Sequence, residues 1–205
     1  MDYITTDGEY EATYIERRSR FIAVARSVAN VEEGLEFLKD VKKRYKEATH
    51  YPYAIVSAPE YNEQKVSDDG EPQGTSGAPI LTAIRGRGLS AVAVVVVRYF
   101  GGVKLGASGL TLAYGKAAKA VLEEASLLGA VKSTFYKVKL TYDSYGKFQI
   151  KSASFATITD TEYSDEVTAT VATTESDRLT ELVGEVSAGK SVPVPIEEKY
   201  LFKKL

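Results

Sequence analysis

The feature that most constrains this chain is the unbroken apolar run Ala91-Val92-Ala93-Val94-Val95-Val96-Val97, followed at once by Arg98-Tyr99-Phe100-Gly101-Gly102-Val103-Lys104-Leu105-Gly106-Ala107-Ser108-Gly109. Seven apolar, mostly β-branched residues with no polar alternation predict a strand buried on both faces, so further layers must pack on each side of it. The glycine-rich segment then reads as a turn into a long helix. Leu110, Ala113, Tyr114, Ala117, Ala118, Val121, Leu122, Ala125 and Leu128 mark one face of that helix, and Gly129 is expected to end it.

Around this centre the patterning places a hairpin from Glu9–Ile15 and Phe21–Val28, joined by the basic turn Arg17-Arg18-Ser19-Arg20. Asn30 and Glu33 suit the start of a helix running to Tyr45. A short strand at Tyr53–Ser57, a long polar loop from Ala58 to Gly77 and a short helix starting at Pro79 follow. From Thr134 the pattern restarts as strand, helix, strand, strand, helix, strand, the βαββαβ order of a ferredoxin-like unit. The expected organisation is therefore α+β in two domains, 1–132 and 133–205.

The chain has no cysteine and one histidine, which excludes disulfides, thiolate metal sites and cysteine nucleophiles and leaves little for zinc. No cofactor is expected. The N-terminal residues Met1–Glu9 resemble neither a signal nor a transit peptide, and no apolar run is long enough to span a bilayer, so a cytoplasmic protein without a membrane role is expected. The formal net charge of −2 looks uninformative, but it hides a local asymmetry. Residues 72–122 contain no Asp or Glu and carry six cations: Arg85, Arg87, Arg98, Lys104, Lys116 and Lys119.

Candidate chemistry follows from that asymmetry. Gly101, Gly102, Gly106 and Gly109 allow close backbone approach, and Ser108 and the start of the helix offer donors. With Arg85, Arg87, Arg98, Lys104 and Lys116 they make a candidate anion or RNA site. The alternative is a set of glycines serving turn geometry alone, with cations balanced by a neighbouring acidic loop. That loop, Ser67-Asp68-Asp69-Gly70-Glu71-Pro72, continues through Gly74, Thr75 and Gly77. Asp68, Asp69 and Glu71 could hold Mg²⁺ or supply a base, or could cap turns and pair with nearby arginines. His50 reads as a structural histidine. Tyr99 and Phe100 are the aromatics best placed to stack on bases, unless they pack beneath the glycine turn.

The acidic motif and the Val94-Val95-Val96-Val97-Arg98-Tyr99-Phe100-Gly101-Gly102-Val103-Lys104-Leu105-Gly106 motif together resemble the IMPACT/YigZ family. Ser19-Arg20-Phe21-Ile22-Ala23 and Ala48-Thr49-His50 add to the likeness, which covers about 10–128, and the tail is similar to the extra domain of the bacterial YigZ branch. The resemblance implies an N-terminal βαβ domain like those of a ribosomal protein, domain four of elongation factor G and certain small-molecule kinases. It implies a C-terminal domain like the last domain of elongation factor G. Eukaryotic members regulate translation initiation by binding a protein that activates a stress kinase. Two positions depart from the family pattern: Ser108 replaces a glycine, and Leu112 stands where an arginine is expected.

The leading expectation is thus a translation-associated protein, without catalysis, that engages RNA, the ribosome or a translation-regulatory protein through a basic glycine-rich face. The alternatives are an enzyme acting on a phosphorylated small molecule or nucleotide with Mg²⁺, and a pure protein-interaction module.

Overall fold

A computed structural model describes all residues 1–205. In chain order the elements are β1 (Tyr3–Thr6), β2 (Glu9–Glu16), β3 (Ser19–Ser27), α1 (Val31–Arg44), β4 (Tyr53–Val56), β5 (Gln64–Ser67), α2 (Gly77–Gly86), β6 (Val92–Tyr99) and α3 (Gly106–Glu124). They continue as β7 (Leu127–Leu140), α4 (Tyr142–Ser152), β8 (Ala156–Tyr163), β9 (Val167–Thr173), α5 (Ser176–Ser187) and β10 (Val194–Lys204). The chain divides into two compact units, Met1–Gly129 with Lys203–Leu205, and Ala130–Phe202. Ser133, near the expected break, lies inside β7.

In the first unit, strands order β2-β3-β6-β4-β5 in an antiparallel sheet. The apolar run forms β6 at its centre, and alternation along that strand explains why no polar residue interrupts it. Val92, Val94 and Val96 enter the core shared with α2 and α3, while Ala93, Val95 and Val97 enter the one shared with α1. Helix α1 starts where the sequence predicts, with the Asn30 side chain accepting from Glu33 N at 2.9 Å and Glu33 Oε2 accepting from Ala29 N at 2.7 Å.

The second unit orders its strands β10-β7-β9-β8, with β7, β9 and β8 antiparallel, and packs α4 and α5 over a core centred on Val138, Phe148, Val171 and Leu179. This is the ferredoxin-like arrangement. No helix in either unit is long and apolar enough to cross a membrane.

Three boundaries differ from expectation. Helix α3 begins at Gly106 and ends at Glu124. Ala125 is extended, and Leu127–Gly129 open β7, where the Leu127 carbonyl accepts from Leu205 N, instead of finishing the helix. The 58–77 segment is not all loop, because Gln64–Ser67 pairs with β4 as an edge strand. Its sequence is polar but for Val66, which is 38% exposed, as suits an edge that faces water. Helix α2 starts at Gly77, two residues before Pro79, because Asp68 satisfies its first backbone donors.

Candidate nucleic-acid interface

The antiparallel register of β2, β3 and β6 decides what surrounds the glycine turn. Phe21 pairs with Arg98 and Arg20 with Tyr99, so the β2–β3 turn and the exit of β6 sit at the same end of the sheet. Gly101 packs directly against that turn. A Cβ at Gly101 would come within 2.1 Å of the Arg18 carbonyl carbon, so any side chain there forces the two loops apart. Gly101 N donates to the buried Ser19 Oγ at 3.2 Å, fixing the contact. Gly102 follows at φ +82°, which suits glycine, and turns the chain toward α3.

The β2–β3 turn itself is strained. Arg17 and Arg18 occupy φ 45° and 68°, the left-handed conformation required at both central positions of a tight two-residue hairpin and usually given to Asn and Gly. Each such residue costs roughly 1–2 kcal/mol relative to glycine. Neither arginine recovers this by packing, since both are exposed and neither forms an ion pair. Arg20 and Lys104 are likewise exposed and without a carboxylate partner. Glu16, the adjacent acid, accepts from the Tyr14 hydroxyl at 2.8 Å. Arg20 lies 4.7 Å from the Tyr99 ring centre. The end of the sheet therefore carries four uncompensated cations, three of them from the β2–β3 hairpin, outside the segment 85–116 that holds the cations expected from sequence. The Arg-Arg-Ser-Arg quartet is a visible signal, but its neighbourhood to Gly101 is set by strand pairing across some eighty residues.

The structure removes Arg98 from the surface set. Its side chain is 7% exposed and its Nη1 donates to Glu71 Oε1 at 2.6 Å, with Glu71 itself 4% exposed. Tyr114 donates its hydroxyl to the same oxygen at 2.6 Å. Burial and the adjacent Glu71 carboxylate push the Tyr114 phenol well above its ordinary range, so it stays a donor. The Arg98 guanidinium lies 5.5 Å from both the Phe21 and Phe100 ring centres, and its Nε is buried without a partner. His50 Nε2 stands 4.0 Å from Glu71 Oε2, while its Nδ1 lies 2.8 Å from the Asp69 carbonyl oxygen, which gives the only imidazole a place in this support.

The carboxylates of the acidic loop do not converge. Asp68 Oδ1 accepts from Ser76 N, Ser76 Oγ and Gly77 N at 3.1, 2.8 and 2.9 Å, and Oδ2 accepts from Gly74 N at 2.8 Å. Burial alone would raise its pKa, but these bonds outweigh it and hold the carboxyl below its ordinary value. Asp69 accepts from Tyr51 N at 2.7 Å and pairs with Lys42 at 3.2 Å. Glu71 points inward to Arg98, and Thr75, largely buried, donates to the Pro72 carbonyl. No three acidic or histidine side chains anywhere in the chain are placed to share a cation. Of the two readings of this loop, the geometry fits the one in which its carboxylates cap turns and pair with an arginine, each closing a different part of the fold.

The remaining candidates separate. Gly106 is the first residue of α3, Ser108 is exposed and Gly109 half-buried in its opening turns, and all three lie at the Gly101–Lys104 end. Lys116 lies further along α3, where it donates to the Tyr14 hydroxyl at 3.3 Å. Leu112, 56% exposed, shares that outer face. Arg85 and Arg87 lie at the other end of β6, some eight residues or about 25 Å away. Arg85 donates to Gln64 on β5. They do not join the glycine turn in one site.

With the site in place, comparison with known proteins identifies its lineage. A family model for the Impact N-terminal domain matches residues 17–122, a span that contains the hairpin turn, the acidic loop, the glycine turn and most of α3. The chain belongs to the IMPACT family. An IMPACT family member of Bacillus subtilis, YvyE, is 35% identical over 208 residues, covering 98% of this chain and 94% of the relative. An IMPACT family member of Thermus thermophilus is 51% identical over 109 residues, covering 53% of this chain and 58% of that one. A crystal structure described as a hypothetical protein superposes with TM-score 0.65 at 27% identity, covering 97% of this chain and all of the other. That match spans both compact units of this chain.

Proposed function

We propose that this IMPACT family protein is a cytoplasmic, translation-associated binding protein that engages RNA, free or within the ribosome, through the basic end of its N-terminal sheet and performs no catalysis. The observation that carries the reading is the group Arg17, Arg18, Arg20 and Lys104: exposed, without a carboxylate partner, and held around a glycine turn whose Gly101 admits no side chain. Cations left without acids and fixed on a rigid platform suit a polyanion, because each neutralised phosphate releases counterions at no cost in broken ion pairs. The strained arginines at φ > 0 support the same reading, since strain that packing does not repay concentrates at functional positions. The translation setting rests on family membership.

The test is co-sedimentation with ribosomes and a gel shift with RNA at low and high salt. Salt-sensitive association with either is expected. A protein that stays in the soluble fraction at every salt concentration and shifts no RNA overturns the reading, and recovery of a protein partner after nuclease treatment would replace RNA with protein as the ligand.

A further inference from the structure

Phe100 stands out at the basic end because it is 47% exposed although Val92–Arg98 of the preceding strand are buried. Its backbone is tied down, with Phe100 N donating to Thr49 Oγ1 at 3.2 Å, and the next residue is wedged against the Arg18 backbone. One side of the ring is occupied by the Arg98 guanidinium at 5.5 Å, itself anchored by Glu71. Tyr99, the adjacent aromatic, points to the opposite sheet face, where Arg20 already covers it and its hydroxyl donates to the Lys46 carbonyl. Phe100 is therefore the ring left open, on a fixed backbone, between Arg18 on one side of the turn and Lys104 four residues on.

We propose that Phe100 is a stacking platform for an unpaired base, so that the ligand of this site is single-stranded or looped RNA and not a continuous duplex. A paired base inside a helix offers no free face, whereas an unpaired base offers one to any exposed aromatic ring. The cation beneath the ring keeps it oriented, and the arginine turn and Lys104 flank it where the backbone phosphates of the stacked nucleotide would run. This inference rests on the RNA reading above and sharpens it to one class of RNA.

The chain contains no tryptophan, so Phe100→Trp installs a single reporter at the platform. Its indole emission is expected to be quenched by a single-stranded oligoribonucleotide and left unchanged by a perfect duplex of the same length. Phe100→Ala is expected to weaken single-strand binding by about 5- to 100-fold with the salt slope unchanged, since the lost contact is stacking and not charge. Equal quenching by duplex and single strand, or full single-strand affinity in Phe100→Ala, overturns the stacking role while leaving salt-dependent RNA binding intact. Absence of binding to either RNA overturns the RNA reading and this inference with it.

Discussion

The acidic loop and the arginine hairpin are built from charged residues at comparable density, yet they are put to opposite uses. Every carboxylate of the loop is spoken for: Asp68 by four donors around the start of α2, Asp69 by Tyr51 and Lys42, Glu71 by Arg98 and Tyr114. Arg17 and Arg18 share a left-handed backbone with Asp69 but have no such partners. The difference teaches where to look for function in a chain of nearly neutral charge. Charges satisfied inside the fold report on stability, and charges left unsatisfied on a rigid frame report on a ligand.

That contrast can be broken at several points. The largest effect belongs to Glu71→Ala, which strands the buried Arg98 guanidinium and removes the acceptor of Tyr114. A loss of about 3–5 kcal/mol in chemical denaturation is expected, and a loss below 1 kcal/mol would mean the pair is not the anchor described here. Asp68→Ala should cost about 1 kcal/mol through the α2 start. The sign of its pH dependence follows from the lowered pKa: the folded carboxyl holds its proton less tightly than the unfolded one. Its contribution is therefore complete above the unfolded value near 3.9 and fades as pH falls through the lower folded value. Denaturation curves of wild type and Asp68→Ala should converge in strong acid and stay apart at neutral pH. The smallest effect has the opposite sign: Arg18→Gly relieves a left-handed residue and should stabilise the fold by roughly 0.5–1 kcal/mol while weakening RNA binding. A destabilised Arg18→Gly would show that the turn is not strained.

Much of this architecture was legible in the chain. The apolar run dictated a central strand covered on both sides, and the βαββαβ tail followed from patterning alone, because both depend on local periodicity. Edge strand β5 was not legible, since an edge facing water needs no apolar alternation. The end of α3 differs because Ala125 and Leu128 continue a helical spacing, although Ala125 is extended and Leu128 belongs to β7. At the candidate site, the turn made by the glycines is readable from the chain, whereas the burial of Arg98 is not: an arginine beside glycines looks exposed until Glu71, 27 residues earlier, folds over it. The placement of Arg17 and Arg18 beside the glycine turn depends on a β3–β6 register that no local pattern encodes.

The most direct test of the account compares unpaired with paired cations in one assay. RNA affinity would be measured across a salt series for Arg17→Ala/Arg18→Ala and, as control, Lys42→Ala/Arg44→Ala, whose side chains already pair with Asp69 and Glu9. The hairpin variant should bind more weakly and lose about 0.7 in the slope of log affinity against log salt for each phosphate contact removed. The control should keep the wild-type slope. Equal slopes for wild type and the hairpin variant, or an equal loss in both variants, would contradict the claim that the unpaired arginines form the interface.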